Sequence, residues 1–282
     1  MFIAVLLTTY NRKDKTLSCL CSLFNQQMPE GTRMEVYLTD DASSDGTAGA
    51  VSVSYPDVHI SSGTGNLFWA GGMRKSWQMA LKDNPDFYLL LNDDTDLAPN
   101  AISTLLSMAT DRTPGMVPGI SIGTTMDKET GIISYGGQKL YSKHSVKSYN
   151  VFSETEKVEC DLGNANIMLV SKKVVDTIGI LSDRYTHSIA DFDYTLQAKK
   201  AGFKVVVAPG MLGFCKDDHG NKWKSQKSTL KERIAYLKSH KGLAYDEYMY
   251  FIRKHFPRHL PSAFTKLWMK TFFPFIWDAF KK

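Results

Sequence analysis

The sequence predicts an α/β fold on a mostly parallel sheet flanked by helices, with mixed strands in its second half and a helical C-terminal extension. Three observations carry this prediction. Apolar runs of strand length alternate with segments of helical spacing along the first half of the chain. Polar or glycine-rich loops fall where they meet. Beyond residue 228 the pattern becomes helical and rich in aromatics and lysine.

The segment IAVLLTT reads as the first strand. Residues 13–27 read as a helix, with Leu17, Leu20, Leu23 and Phe24 near helical spacing and Met28-Pro29-Glu30-Gly31 as its stop. MEVYLTD is a second strand, the cluster Asp40 to Thr47 caps a short helix, and VHIS (58–61) is a third strand. A glycine-rich loop precedes a helix over 72–83; FYLLLN follows as a fourth strand, and Pro99 opens a helix ending near Thr110. From about residue 115 to 170, shorter segments such as GIISYGGQKLYS and NIMLVS are β-like. Residues 171–179 and 191–202 read as helices, and FKVVVAP as a strand between them and the C-terminal region.

Composition bounds the function. The chain has 282 residues, 43% hydrophobic and 22% charged, which excludes disorder and fibrous repeats. Lys plus Arg number 34 against 29 Asp plus Glu, a mild excess that does not indicate a nucleic-acid partner but suits anionic substrates or an acidic membrane surface. MFIAVLLTTY lacks a preceding basic region and reads as a strand rather than a signal peptide. No apolar run approaches the roughly 20 residues of a spanning helix, so a cytoplasmic protein is expected. Cys19, Cys21, Cys160 and Cys215 lack zinc-type spacing and read as reduced thiols.

In open α/β sheets, ligands bind at the carboxyl ends of the strands. Thr8 and Thr9 end the first strand, Asp40 and Asp41 the second, and Asn92, Asp93, Asp94 and Asp96 the fourth. Crowded carboxylates repel one another unless a cation or hydrogen bonds offset the charge. Mg²⁺ or Mn²⁺ would do so, since Mg²⁺ is often held by one or two carboxylates together with substrate phosphates. Simple turn capping is the alternative for both clusters. In SSGTGNLFWAGGMRKSW the glycines before a helix suit an anion such as a diphosphate, although no phosphate-loop pattern is matched. Phe68 and Trp69 read equally as core or as a stacking wall. Asp191 and Asp193 open a helix whose dipole favours ionised carboxylates, and only one of them is expected to reach a substrate. His219 lies in a polar loop.

The ordered set TTYNR, DDASSDGT, GTGNLFWAGG, LLLNDDTDL, GNANIMLVSKKVVDTIG and DFDYTLQAKKAGFKVVVAPG resembles the family 2 glycosyltransferases of GT-A fold, especially rhamnosyl- and galactofuranosyltransferase-like enzymes of bacterial surface polysaccharides. The resemblance implies a catalytic domain over 1–227, with a nucleotide-sugar half (1–112) and an acceptor half (113–227), and a helical extension over 228–282. It assigns the nucleotide-sugar to Thr9, Asp40, Asp41, Gly65, Asn66, Gly71, Gly72, Asn92 and Asp93. The metal falls to Asp94, with Asp96 and His219 as further candidates, and the catalytic base to Asp191. Ala190 stands where the family often has another acid.

What the resemblance implies is an inverting transfer from a UDP- or dTDP-sugar, aided by Mn²⁺ or Mg²⁺, to a hydroxyl of a polyprenyl-linked glycan or polysaccharide. Two alternatives stay open: a sugar nucleotidyltransferase, and a non-catalytic polysaccharide- or cation-binding module. The C-terminal HFPRHLPSAFTKLWMKTFFPFIWDAFKK suits a membrane interface, with packing on the catalytic domain or on a second subunit of a homodimer as the alternative.

Overall fold

The computed structural model describes residues 1–110, 118–216, 228–240 and 242–275. Its core is a mixed sheet whose central strand, β1 (Phe2–Thr9), is buried at every position. Ala4 and Leu6 enter one apolar cluster and Ile3, Val5 and Leu7 the other, as a parallel strand covered on both faces requires. Helix α1 (Lys13–Phe24) buries Thr16, Cys19, Leu20 and Leu23 at helical spacing. The apolar residues alone misplace this face: Phe24 is 43% exposed, while Thr16 and Cys19 are inside.

Strand β2 (Arg33–Asp40) pairs parallel with β1, and after α2 (Thr47–Ser54) strand β3 (His59–Ser62) pairs parallel with β2. Helix α3 (Phe68–Ala80) packs Ala70, Met73 and Trp77 into the core. It begins four residues before the expected position, for a reason that lies in the site. Strand β4 (Phe87–Leu91) pairs parallel with the other edge of β1, followed by the short β5 (Asp96–Leu97) and by α4 (Ala101–Ala109).

The second half extends the same sheet. Strand β6 (Pro118–Met126) is followed by β7 (Ile133–Tyr135), β8 (Gly137–Ser142), β9 (Ser145–Val151), β10 (Val158–Glu159), β11 (Leu162–Gly163) and β12 (Ile167–Ser171). Strand β12 lies antiparallel between β4 and β6, opposing Ile167 to Leu91 and Ser171 to Phe87. After α5 (Lys172–Ile178) and α6 (Ala190–Lys200), strand β13 (Lys204–Phe214) runs parallel to β6. The main path is β10-β13-β6-β12-β4-β1-β2-β3, with β11-β8-β9 as a small separate sheet. One continuous sheet thus joins the two halves drawn at residues 112 and 113, and both that line and the one at 227 fall at residues outside those described.

Helices α7 (Leu230–Lys238), α8 (Tyr245–His255) and α9 (Leu260–Phe272) close the described chain. Phe251, Ile252 and Phe256 sit in the same apolar cluster as Trp77, Tyr88 and Tyr194, so α8 is built into the main core. All four cysteines are free thiols. Among the described residues no helix is long and apolar enough to cross a membrane.

Candidate active site

The carboxyl ends of β1, β2 and β4 meet at one edge, because parallel pairing sets Thr9 opposite Asp40 and β4 runs beside β1. Thr9 turns its hydroxyl inward to Thr16 Oγ1 at 2.9 Å. Asp40 is buried and accepts from the Ser43 amide at 2.8 Å, closing the turn after β2. Asn11 locks that turn to the loop after β1: its amide donates to Ser43 Oγ and its side-chain oxygen accepts from Ser44 N.

Asp41 explains the early start of α3. Its carboxylate accepts from the backbone N–H of Gly65 at 2.7 Å, Leu67 at 2.9 Å and Phe68 at 3.1 Å. A side chain at Gly63 would meet Asp41 Oδ1 at 2.4 Å, so the loop can wrap this closely only with glycine there. The anion bound by this helix terminus is therefore the protein's own carboxylate. Ala70 N is also committed, donating to Thr186 O at 3.0 Å. The expected diphosphate cradle thus finds these loop donors already in use. A Cβ on Gly72 would lie 1.9 Å from Thr8 Oγ1, and one on Gly71 3.2 Å from Leu67 Cβ. Close packing of α3 on β1 accounts for the glycine at 72. Asn66 lies exposed within the same loop.

After β4, three successive side chains diverge. Asn92 Oδ1 accepts from Trp69 Nε1 at 2.7 Å, which places Trp69 as a wall of the site. Asp93 is 6% exposed, with Arg12 Nη1 at 3.3 Å from Oδ1 and, among the described residues, no hydrogen-bond partner for Oδ2. Burial pushes its pKa up to about 6, against the opposing pull of the Arg12 charge. Asp94 Oδ2 lies 2.7 Å from Arg12 Nη1 and 3.6 Å from Lys15 Nζ, while Cys215 Sγ lies 3.6 Å from Oδ1. Burial first, and then the Asp94 charge, push the Cys215 thiol up to about 12, so it faces Asp94 protonated. Asp96 is held elsewhere, by Ser18 Oγ at 2.7 Å and Lys128 Nζ at 3.0 Å.

Asp191 opens α6. It accepts from Ala165 N at 3.2 Å and Phe192 N at 2.9 Å, and its surface remains partly open. The dense surroundings raise its pKa through desolvation, with the Phe192 and Ala165 hydrogen bonds acting in the other direction. Ala165 and Asn166 join the two acidic regions: Ala165 N reaches Asp191, Asn166 O accepts from Asn92 N at 3.1 Å, and Asn166 Nδ2 lies 3.5 Å from Cys215 Sγ. Antiparallel β12, starting at the end of β4, makes this connection.

Asp193, two residues on, is fully buried. It accepts from Tyr185 Oη at 3.0 Å, His255 Nε2 at 2.6 Å, Gln197 Nε2 at 2.6 Å and Lys254 Nζ at 2.8 Å. Burial raises its pKa, but the His255 and Lys254 hydrogen bonds and the Lys254 charge outweigh this, and the net shift is downward. It anchors α6 to α8 and does not face the crevice. The loop before α6 is tied to α3 by Arg74, which donates to Ser182 O and Tyr185 O at 2.8 Å each. Thr186 and His240 hydrogen-bond at 2.7 Å beside Phe68, whose ring centroid lies 5.3 Å from that of His240.

Among the described residues no three His, Cys, Asp or Glu side chains form a metal cage. His219 lies outside the described residues. The Asp94 carboxylate fits an oxygen-seeking divalent cation that takes its other ligands from substrate phosphates and water, provided Arg12 yields it. Arg12, Lys15, Asn166 and Asn164, whose side chain hydrogen-bonds Asp191, join the site without having been assigned to it from the sequence, and Trp69 takes the wall position of its two readings. Arg12 lies within the TTYNR motif, and its position directly after a strand end was the available signal.

A mixed sheet with acidic strand ends, linked through β12 to a helix-borne carboxylate, is the arrangement expected of a GT-A glycosyltransferase. The family model described as glycosyl transferase family 2 matches residues 4–152, more than half of the chain, and the protein belongs to this family. A comparison with curated protein sequences finds no match. Among solved structures, the chain is similar to the mannosyltransferase PcManGT from Pyrobaculum calidifontis in complex with GDP-Man and Mn²⁺, at TM-score 0.55 and 14% identity, covering 93% of this chain and 73% of that one. It is also similar to S. aureus TarS 1–349 in complex with UDP-GlcNAc (TM-score 0.58, 14% identity, 93% and 73% covered). For TarS 1–349 with UDP the values are 0.55, 16%, and 76% of this chain against 60% of that one. Family membership sets aside the nucleotidyltransferase and the non-catalytic module.

Proposed function

We propose that this glycosyltransferase moves a sugar, with inversion, from a nucleoside-diphosphate donor to a hydroxyl of a glycan acceptor. The observation that carries the reading is the junction at Ala165 and Asn166, which sets the open carboxylate of Asp191 beside the strand end that bears Asn92 and Asp94. Complexes of similar folds with GDP-Man, UDP and UDP-GlcNAc support a nucleotide-sugar donor, and the Mn²⁺ in one supports a divalent cation. A UDP- or dTDP-sugar is the donor class we favour.

The base and ribose would lie along the ends of β1 and β2, with Asn92 and Trp69 forming the side toward the sugar. Asp94 would hold Mn²⁺ or Mg²⁺, which when bound supplies charge neutralisation for the departing diphosphate. Asp191 receives the proton of the acceptor hydroxyl as it attacks the anomeric carbon; a raised pKa makes its carboxylate a stronger base. Ala165 N and Phe192 N hold that carboxylate in place while leaving part of it open. Asp96 and His219 remain secondary candidates for the cation.

The acceptor side includes the C-terminal helices. Helix α9 buries Ala263 in the core and leaves Phe264 at 50%, Phe272 at 44% and, beyond its end, Phe275 at 62% exposure, alongside Lys266 and Lys270. Exposed aromatics on one side of a helix that carries lysines on the other suit the interface of an anionic membrane and an acceptor carried on a polyprenyl lipid. Bacterial surface-polysaccharide synthesis and a peripheral position on the inner membrane face follow from this reading; a homodimer through the same surface is the competing use.

Asp191→Asn tests the core of the proposal. Sugar transfer is expected to fall by several orders of magnitude while donor binding, followed by calorimetry across a panel of nucleotide-sugars with Mn²⁺, stays within a few-fold of wild type. Retained turnover would remove Asp191 from the role of base.

A further inference from the structure

Arg12 is the cation on which the acidic end of β4 rests in this structure. Its Nη1 lies 2.7 Å from Asp94 Oδ2 and 3.3 Å from Asp93 Oδ1, and Lys15 Nζ lies 3.6 Å from the same Asp94 oxygen. The Asp94 side chain is 11% exposed, whereas those of Arg12 and Lys15 are 41% and 50% exposed. The carboxylates are thus fixed in the wall, and the two cations reach them from the solvent side on long, adjustable stems. Arg12 precedes α1 and Lys15 lies in its first turn, three residues on, so both approach from one side of that helix.

A divalent cation and a guanidinium cannot both sit against one carboxylate oxygen without strong mutual repulsion. Asp94 Oδ1 is turned to the Cys215 thiol and Oδ2 is the oxygen that Arg12 holds, so a divalent cation that takes Oδ2 requires Arg12 to leave it. An incoming diphosphate offers the displaced guanidinium a partner, since Arg presents paired donors that match phosphate oxygens. We propose that Arg12, assisted by Lys15, is a two-position binding residue: it holds Asp94 before the donor arrives and passes to the donor's diphosphate when Asp94 is given up to the divalent cation. This rests on the assignment above of Asp94 to the cation and of the strand ends to the donor. It adds a coupling between the two ligands, because the cation frees Arg12 for the diphosphate and the diphosphate draws Arg12 off Asp94. By linkage, each ligand then tightens the other by the same factor.

The test is a binding matrix read by calorimetry and by Mn²⁺ electron paramagnetic resonance. Wild type, Arg12→Gln and Lys15→Gln are titrated with Mn²⁺ alone, with UDP, dTDP and GDP alone, and with each nucleotide plus Mn²⁺. In Arg12→Gln, Mn²⁺ alone is expected to bind about tenfold more tightly, because one competing charge is gone, and the preferred nucleotide alone about tenfold more weakly. Lys15→Gln should shift both in the same directions by less. A merely structural role for Arg12 would weaken both ligands together, and that result, or unchanged affinity for both, would overturn the inference. Arg12→Lys keeps the charge without the fork. It should leave Mn²⁺ binding near wild type and still weaken the nucleotide, which gives a second reading if Arg12→Gln does not fold. Wild type that binds no nucleotide under any condition would overturn the donor assignment itself; binding by wild type with parallel losses in the variants would overturn only the role of Arg12.

Discussion

Asp193→Ala is expected to destabilise the protein by about 3 kcal/mol at neutral pH, from the geometry of one buried carboxylate. Asp193 takes hydrogen bonds from Tyr185, Gln197, Lys254 and His255, and its side chain and that of His255 are each 1% exposed. His255 Nδ1 has no partner among the described residues, so the loss of Asp193 leaves both ring nitrogens buried without an acceptor or donor. At neutral pH the charged partner is Lys254, His255 being kept neutral by burial, and breaking a buried pair by removing one partner costs roughly 3–5 kcal/mol. Lys254 is 26% exposed and can recover water, which favours the lower end. For a chain of this size that corresponds to a fall in melting temperature on the order of 10 °C. The sign with pH follows from the lowered pKa of Asp193: its stabilisation is complete above the ordinary value near 4 and is lost as pH falls through the folded value. The contribution of Asp193 to the deficit should therefore be constant from pH 7 to 8, where the buried His255, its own pKa lowered by burial, is neutral, and be lost in acid. Thermal and urea denaturation of Asp193→Ala, His255→Ala and the double variant measure the cost and the coupling. A loss below about 1 kcal/mol, or additive single effects, would refute the claim that this pair anchors α6 to α8.

Three further outcomes are expected. Asp191→Asn should melt above wild type at pH 7.5 and equal it near pH 4, since a raised folded pKa means that the acid's contribution is present below its unfolded value and lost as pH rises through the folded one; an unchanged difference across that range would contradict the desolvation of Asp191. Gly72→Ala should cost about 1–3 kcal/mol through the clash with Thr8, whereas Gly49→Ala, with open space around it, should be neutral or stabilising by about 0.5 kcal/mol, as differential scanning calorimetry can compare. Replacing Phe264, Phe272 and Phe275 together by Ser should abolish co-sedimentation with vesicles rich in anionic phospholipid, and undiminished sedimentation would count against the membrane surface.

Much of the fold could be read from local signals. Strands β1, β2 and β4 are short apolar runs ending in hydroxyl or acidic residues, and the parallel arrangement followed from the helices between them. Helix α1 was found but its buried face was misjudged, because Thr16 and Cys19 are buried through contacts with Thr9 and the Asn92 carbonyl that periodicity does not encode. The start of α3 was placed four residues late: Gly71 and Gly72 look like a loop in sequence, yet Asp41 caps Leu67 and Phe68 from a strand end some twenty-five residues earlier.

The same division runs through the site. By itself the sequence determined which residue types stand at the strand ends and which family they resemble, because an apolar run followed by Asp, Asn or Thr is a local pattern that fixes a strand and its terminus. Tertiary structure decided what each acid does. Asp41 is committed to the backbone of its neighbouring loop, Asp96 to Ser18 and Lys128, and Asp193 to α8, whereas Asp94 turns one oxygen to the Cys215 thiol and the other to cations from the solvent side, and Asp191 stays partly open. Local spacing cannot carry that distinction. A carboxylate's role depends on which donors reach it across the fold and how much water it keeps, and both are set by chain segments tens to a hundred residues away.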